Sequence, residues 1–301
     1  MDSWRLYNGG SELFRGTKLN RGALPTSRFF SQNQRRIDVL YSQFRSYGID
    51  QNAIPNWLLQ FKPKDRELAL KVLENVHYFD KGKIISAYKS IHRQVLALRG
   101  GDLSSVYFAP FGYAGTSAEM MAYWYKLANR ETTPDLESRM IGISEIQSKL
   151  LGVSIARNPT VIFIDDISGS GDEAIDMWTG NLDPPRAGLQ EVVPPDAAIF
   201  LAVPIAFSHA ISRIGHVTRG RIQVLPWRIF PQRERVLSTQ NTVFTPSEKQ
   251  ILDKYCVDTG SSKPYGHKGT SSLVVFEHNC PDNNISILWA NTKWKGLFLR
   301  A

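Results

Sequence analysis

The chain has 301 residues, 42% of them hydrophobic and 21% charged, which is enough apolar material for one sizeable core, with or without a helical extension. Two cysteines in this length exclude a disulfide framework and a four-cysteine metal site, and no apolar run approaches the roughly 18 residues of a membrane span. The formal charge of +8 points to anionic partners such as nucleotides or nucleic acid, and with no apolar stretch after Met1-Asp2-Ser3-Trp4-Arg5 the expected location is cytoplasmic.

Up to about residue 30, Gly, Ser, Arg and Asn mix with few periodic apolar positions, which reads as an extended arm or capping segment. Helical spacing begins at Phe30: Ile37, Leu40, Tyr41 and Phe44 share a face, and Gly48 is placed to stop the helix. Pro63 opens another stretch, with Leu68, Val72, Leu73 and Val76 on one side. In the next, Ile84, Tyr88, Ile91, Val95 and Leu98 recur every three or four residues until Arg99-Gly100-Gly101. We divide the chain there, into an N-terminal arm and helical extension (1–100) and an α/β domain (101–301).

Beyond that boundary, short apolar runs alternate with helical stretches, the pattern of a parallel sheet covered on both faces. The predicted strands are 105–109, 160–165, 198–204, 221–225 and 272–276, with helices at 117–129, 144–151 and 208–214. The first strand runs into Pro110-Phe111-Gly112-Tyr113-Ala114-Gly115-Thr116-Ser117. Its glycines at 112 and 115 let backbone amides approach anionic oxygens, and hydroxyls follow at 116 and 117. The same stretch also reads as an ordinary strand-to-helix connection. Thr245-Pro246-Ser247-Glu248 sets a capping hydroxyl, a first-turn proline and a reciprocal Glu in order, so a last helix starts there.

The densest chemistry lies at Val161-Ile162-Phe163-Ile164-Asp165-Asp166-Ile167-Ser168-Gly169-Ser170-Gly171. The four apolar residues suit a strand buried on both faces. Carboxylates at the carboxyl end of such a strand project into the crevice where open α/β sheets bind ligands. Ser168, Gly169, Ser170 and Gly171 can then wrap a phosphate with backbone N–H groups, helped by the positive end of a helix starting near Asp172. The plainer alternative is a strand-to-helix turn in which Ser and Asp act as caps.

This stretch resembles the signature of the type I phosphoribosyltransferases: hydrophobic residues, two acidic residues, then a Ser/Thr-Gly phosphate loop. The resemblance implies that Asp165 and Asp166 take the ribose hydroxyls of a phosphoribosyl pyrophosphate-like ligand and that Ser168 to Gly171 take its 5′-phosphate. It implies Mg²⁺ bound with the ligand, not held by protein alone, and a pyrophosphate loop made of Pro110, Gly112, Gly115, Thr116 and Ser117. The sequence departs from the pattern at Asp172 and Glu173, where active transferases carry a Thr or another phosphate donor. At roughly 5 Å and an effective dielectric of about 20, a carboxylate facing a phosphate charge costs on the order of 3 kcal/mol before screening. In the first turn of a helix, the same acids are favoured by the dipole.

Ile54-Pro55-Asn56-Trp57-Leu58-Leu59-Gln60-Phe61, Tyr265-Gly266, and Cys280-Pro281-Asp282-Asn283-Asn284 running to Leu288-Trp289 are similar to one subgroup of that superfamily. These are the phosphoribosyltransferase-like effectors of prokaryotic conflict systems. The similarity implies a nucleotide substrate, glycosyl transfer or hydrolysis, and a partner such as the reverse transcriptase ribonucleoprotein of a retron locus or another anti-phage component. A catalytically inactive nucleotide-sensing or nucleoprotein-binding module is the alternative. No membrane is involved, and a homo-oligomer is left open.

Six arginines between Arg213 and Arg235 meet one acid, Glu234, with Trp227 and Phe230 interleaved. Arg221, Arg228, Arg233 and Arg235 are the candidates for nucleic-acid contact. A solvated loop balancing the acidic stretch 165–196 is the other reading. The six histidines show no HxH or HExxH spacing. Pro281 to Asn284 is predicted as a turn, and Trp289 and Trp294 serve either the core or base stacking.

Overall fold

The computed structural model describes residues 28–112, 117–153, 157–182 and 187–300. Helices α1 (Arg28–Phe44), α2 (Ala53–Leu59) and α3 (Arg66–Glu74) come first. α1 turns Phe30, Ile37, Leu40 and Phe44 inward, and a short 3₁₀ turn leads to Gly48, whose φ of 89° supplies the left-handed stop. Where the periodicity predicts a helix face continuing to Val76, α3 has already ended and a short strand follows, β1 (His77–Phe79). Asp80 then caps α4 (Lys81–Leu98) by accepting the N–H of Lys83 (2.7 Å).

Next come β2 (Val106–Pro110), α5 (Ser117–Asn129), α6 (Ile146–Leu151), β3 (Thr160–Ile164), β4 (Ile167–Ser168), α7 (Asp172–Thr179) and α8 (Leu189–Val192). β5 (Ala198–Phe207), α9 (Ser208–Val217), β6 (Ile222–Phe230), α10 (Pro246–Asp258) and β7 (Val274–Phe276) complete the set. β2, β3, β5 and β6 lie side by side, all parallel, and β4 follows β3 along the same side of β5. This is the predicted α/β architecture, a parallel sheet flanked by helices with a helical N-terminal part.

Two predicted strands need correction. The stretch 272–276 reads as part of the main sheet, but β7 instead pairs in parallel with β1 in a separate two-stranded sheet. The stretch 221–225 extends to Phe230, because β6 pairs with β5 on both sides of Pro226.

Alternation along β3 explains why the sheet is covered twice. Ile162 and Ile164 join Tyr88, Val95, Met121 and Tyr125 of α4 and α5 in one core, while Val161 and Phe163 join Ala174, Met177 and Leu189 of α7 and α8 in another. A further core joins α1, α2 and α3 to residues 236–298, so segments on both sides of position 100 pack together. Within it, the indole N–H groups of Trp57 and Trp294 both donate to the carbonyl of Ile287, at 2.8 and 2.9 Å. No helix among the described residues is long and apolar enough to cross a membrane.

The sheet is interrupted where the two acidic residues sit. Thr160 to Ile164 pair with Ala198 to Ala202, and pairing resumes at Ile167 and Ser168 opposite Ile205 and Ala206. In between, β5 carries Pro204, which has no N–H to give, and its ladder with β6 skips the same position. The Asp165 N–H still reaches the Ala202 carbonyl (3.2 Å), and beyond it, at Asp166, the pairing breaks.

Candidate active site

β3 delivers Asp165 and Asp166 to the carboxyl end of the sheet, each only 5% exposed. The Asp165 carboxylate accepts the N–H of Asp166 (2.9 Å), and its carbonyl accepts the hydroxyl of Tyr88 on α4 (2.9 Å). Burial, reinforced by Asp166 and Glu173, pushes the Asp165 carboxyl well above the usual carboxylate range. Asp166 is fixed differently: its Oδ2 lies 3.0 Å from Nε2 of His278. Trp124 meets the His278 ring edge-on, and Phe276 packs against it at a tilt.

After the carboxylates the chain turns sharply. The Ser168 hydroxyl is buried with no hydrogen-bond partner and lines the cleft. The backbone N–H groups of Ser170 and Gly171 take no acceptor among the described residues. Gly171 is left-handed (φ 80°), and a Cβ there would press on Ala210 and Ile214 of α9. Ser170 Oγ accepts the N–H of Asp172 (3.1 Å), so the turn leads directly into the positive end of α7.

Asp172 and Glu173 share that first turn but not a state. Burial opposes ionisation of Asp172, yet Arg213 of α9 and Nε2 of His267 (2.7 Å) both contact its carboxylate and hold it below the usual range. Arg213 also donates to the Ser170 carbonyl (3.1 Å). Glu173 lines the cleft and is exposed to solvent there, with its carboxyl partly desolvated. That partial burial, with Asp166, Asp282 and Asp176 nearby, raises it to about 7.

The far wall of this cleft, which encloses about 260 Å³, belongs to the C-terminal segment: Lys263, His267, Asp282, Asn283 and Arg300. Lys263 pairs with Asp282 at 2.6 Å, while the Arg300 guanidinium stays 3.9 Å from that carboxylate and lies over the Trp289 ring. The predicted turn forms, with the Asn284 N–H bonded to the Pro281 carbonyl (3.2 Å).

A family model described as PRTase-CE matches residues 54–300, most of the chain and both walls of the cleft. The chain belongs to the PRTase-CE family. No curated protein and no solved structure matches it. The phosphoribosyltransferase-like character of the PRTase-CE protein thus extends over the helices from α2 onward, the whole main sheet and the C-terminal segment.

In this PRTase-CE chain, Asp165, Asp166, Ser168, Gly169, Ser170 and Gly171 line one cleft together with Ser117. Pro110 ends β2 and Gly112 adopts a φ of 146°, while Gly115 and Thr116 lie outside the described residues. The four candidate arginines do not line the cleft. Arg221 donates to the carbonyls of Pro194 (3.1 Å) and Pro195, Arg228 pairs with Glu234 (3.1 Å), and Arg235 donates to the carbonyls of Thr270 (3.0 Å) and Gly269 (2.6 Å). Arg233 and Arg228 border a separate hollow with His77. Trp289 donates to the Asn284 carbonyl (3.0 Å) and packs, like Trp294, against the core of the helical part.

Sequence reasoning missed Tyr88, His267 and His278 as parts of the site, and missed Arg213 as the partner of Asp172. No local spacing links them to residues 165–173, since they come from α4, α9 and the C-terminal segment.

Proposed function

We propose that this PRTase-CE protein binds a phosphorylated ribosyl unit of a nucleotide in the cleft and transfers or hydrolyses its glycosidic bond, as an effector of a bacterial anti-phage or toxin system. One observation carries the reading. A buried carboxylate pair is followed at once by a turn in which the Ser168 hydroxyl and the N–H groups of Ser170 and Gly171 have no partner of their own. Buried polar groups are normally satisfied, so an orphaned set facing a cleft matches an anion with several acceptor oxygens.

Asp166, held by His278, accepts a ribose hydroxyl and places negative charge beside the anomeric carbon. Asp165, protonated more readily than an ordinary carboxyl, donates to a second sugar oxygen. As the bond from the anomeric carbon to its leaving group breaks, the electron pair leaves with that group, and the positive charge left on the sugar is stabilised by the Asp166 carboxylate. Water or an acceptor then adds at the same carbon.

No cluster of three or more acidic, His or Cys side chains suited to a metal exists among the described residues. The Asp166 carboxylate offers the hard oxygen donors that Mg²⁺ takes alongside phosphate oxygens and water. Mg²⁺ would then be shared with the ligand, where it would neutralise charge on the phosphates. The conflict-system role is supported by the similarity over Ile54–Phe61, Tyr265-Gly266 and Cys280–Asn284, all inside the family match.

Incubation with Mg²⁺ and a panel of nucleotides, followed by chromatography of the products, is the test. Asp165→Asn and Asp166→Asn should each lower turnover by about 100-fold or more, and full activity in both variants ends this reading. Glu173, a carboxylate beside the phosphate turn, favours the second reading of a silent nucleotide sensor. In that case calorimetry shows binding with no turnover.

A further inference from the structure

We infer that Asn283, supplied by the C-terminal segment, contacts the ligand directly: its carboxamide completes the phosphate cradle and restricts it to a terminal phosphate monoester. This rests on the reading of Ser168–Gly171 as the phosphate turn.

Asn283 is 8% exposed and lines the cleft, and its carboxamide packs so closely on Gly169 that a Cβ at that position would overlap it. No hydrogen bond of that carboxamide exists among the described residues. In the same cleft, next to Gly169 in the chain, the Ser168 hydroxyl is 5% exposed and without a partner. Two largely buried polar side chains from distant parts of the chain thus open onto one space with no protein partner, an arrangement that suits a bound ligand.

The neighbouring asparagine shows what a structural role looks like here. Asn284 Oδ1 accepts from Ser272 Oγ (2.8 Å) and the Val274 N–H (2.7 Å), and its Nδ2 donates to the carbonyls of Val274 (2.6 Å) and Pro281 (3.0 Å). The fold uses that carboxamide completely. The Asn283 backbone is equally fixed: its carbonyl accepts the Ser272 N–H (3.0 Å), and Gly266, at a φ of 77°, packs against it. Its side chain is therefore presented to the cleft from a rigid base.

The geometry also selects the kind of phosphate. With the Asn283 carboxamide seated over Gly169, the turn is covered on that side, and a phosphate bound there keeps one ester bond, directed toward the carboxylates that line the same cleft. A terminal phosphate satisfies this, whether on a free sugar or at the 5′ end of a polynucleotide. An internal phosphodiester needs two exits.

Calorimetric titration of the full chain tests this with ribose 5-phosphate, a 5′-phosphorylated oligonucleotide and a dinucleoside monophosphate. We expect ribose 5-phosphate to bind and the dinucleoside monophosphate not to bind, and binding of the oligonucleotide would extend the ligand class to nucleic-acid ends. Asn283→Asp, which keeps the shape packed on Gly169, and Asn283→Ala should each weaken ribose 5-phosphate binding by about tenfold or more while melting close to wild type. Wild-type affinity in both variants overturns the assignment of Asn283 and leaves the turn intact as a site. Absence of ribose 5-phosphate binding to the folded wild type overturns the phosphate turn itself. Equal affinity for the dinucleoside monophosphate overturns the restriction to monoesters.

Discussion

Asp172 and Glu173 stand side by side in the sequence, where both look hostile to a phosphate. The cleft treats them differently, because the Asp172 carboxylate pairs with Arg213 and lies against Nε2 of His267 while Glu173 faces other acids. Glu173 is raised from 4.5 to about 7, so the fold favours its protonated form. Its contribution to stability is complete below about 4.5 and is lost as pH rises through about 7. We expect Glu173→Gln to flatten that part of the pH–stability curve and to strengthen phosphate binding above pH 7 relative to wild type, as thermal melts and titrations across pH will show. A second test concerns Tyr88, whose hydroxyl holds the Asp165 carbonyl from a fully buried position. Tyr88→Phe should cost about 1–2 kcal/mol in denaturant unfolding, because a buried acceptor loses its donor. The carboxylates and the turn were legible because they are contiguous. Their supports were not, since His278, His267 and Arg213 reach the site only through tertiary folding.

Elements with local signals match their predicted places. The box at Thr245 to Glu248 is reciprocal: Thr245 Oγ1 accepts the Glu248 N–H (3.2 Å), and Glu248 accepts the Thr245 N–H (2.7 Å). Glu248 also takes Lys71 of α3 (2.8 Å), tying α10 to the N-terminal helices. Thr245→Ala should lower stability by about 1 kcal/mol, a fall in Tm of about 2 °C by calorimetry. β1 was not legible, because three residues carry too little pattern and their partner strand lies at residues 274–276. β6 outran its prediction for a related reason. Pro226 reads as a stop, but along this outer strand the missing N–H leaves the pairing with β5 intact on either side.

At the scale of the molecule, the helical front and the C-terminal segment are one body, joined where Trp57 and Trp294 meet the Ile287 carbonyl. Trp57→Ala should cost about 3–5 kcal/mol and, by loosening the far wall, weaken ligand binding as well, which paired unfolding and titration experiments can separate. The net charge of +8 carries a different expectation. Three of the four candidate arginines are engaged within the chain, so nucleic-acid binding through that face should be weak and steeply salt-dependent, and Arg233→Ala should reduce it more than Arg221→Ala in fluorescence titrations.

The parallel pairing of β1 with β7 also orders events in time. During synthesis, β1 and the main sheet leave the ribosome well before residues 263–300, so the cleft has one wall and no Asn283, His278 or His267. Strand β1 must wait for a distant partner, a slow non-local closure. A nascent chain therefore carries its carboxylates long before the cleft has its second wall, and on the proposed reading ligand binding waits for that wall to dock.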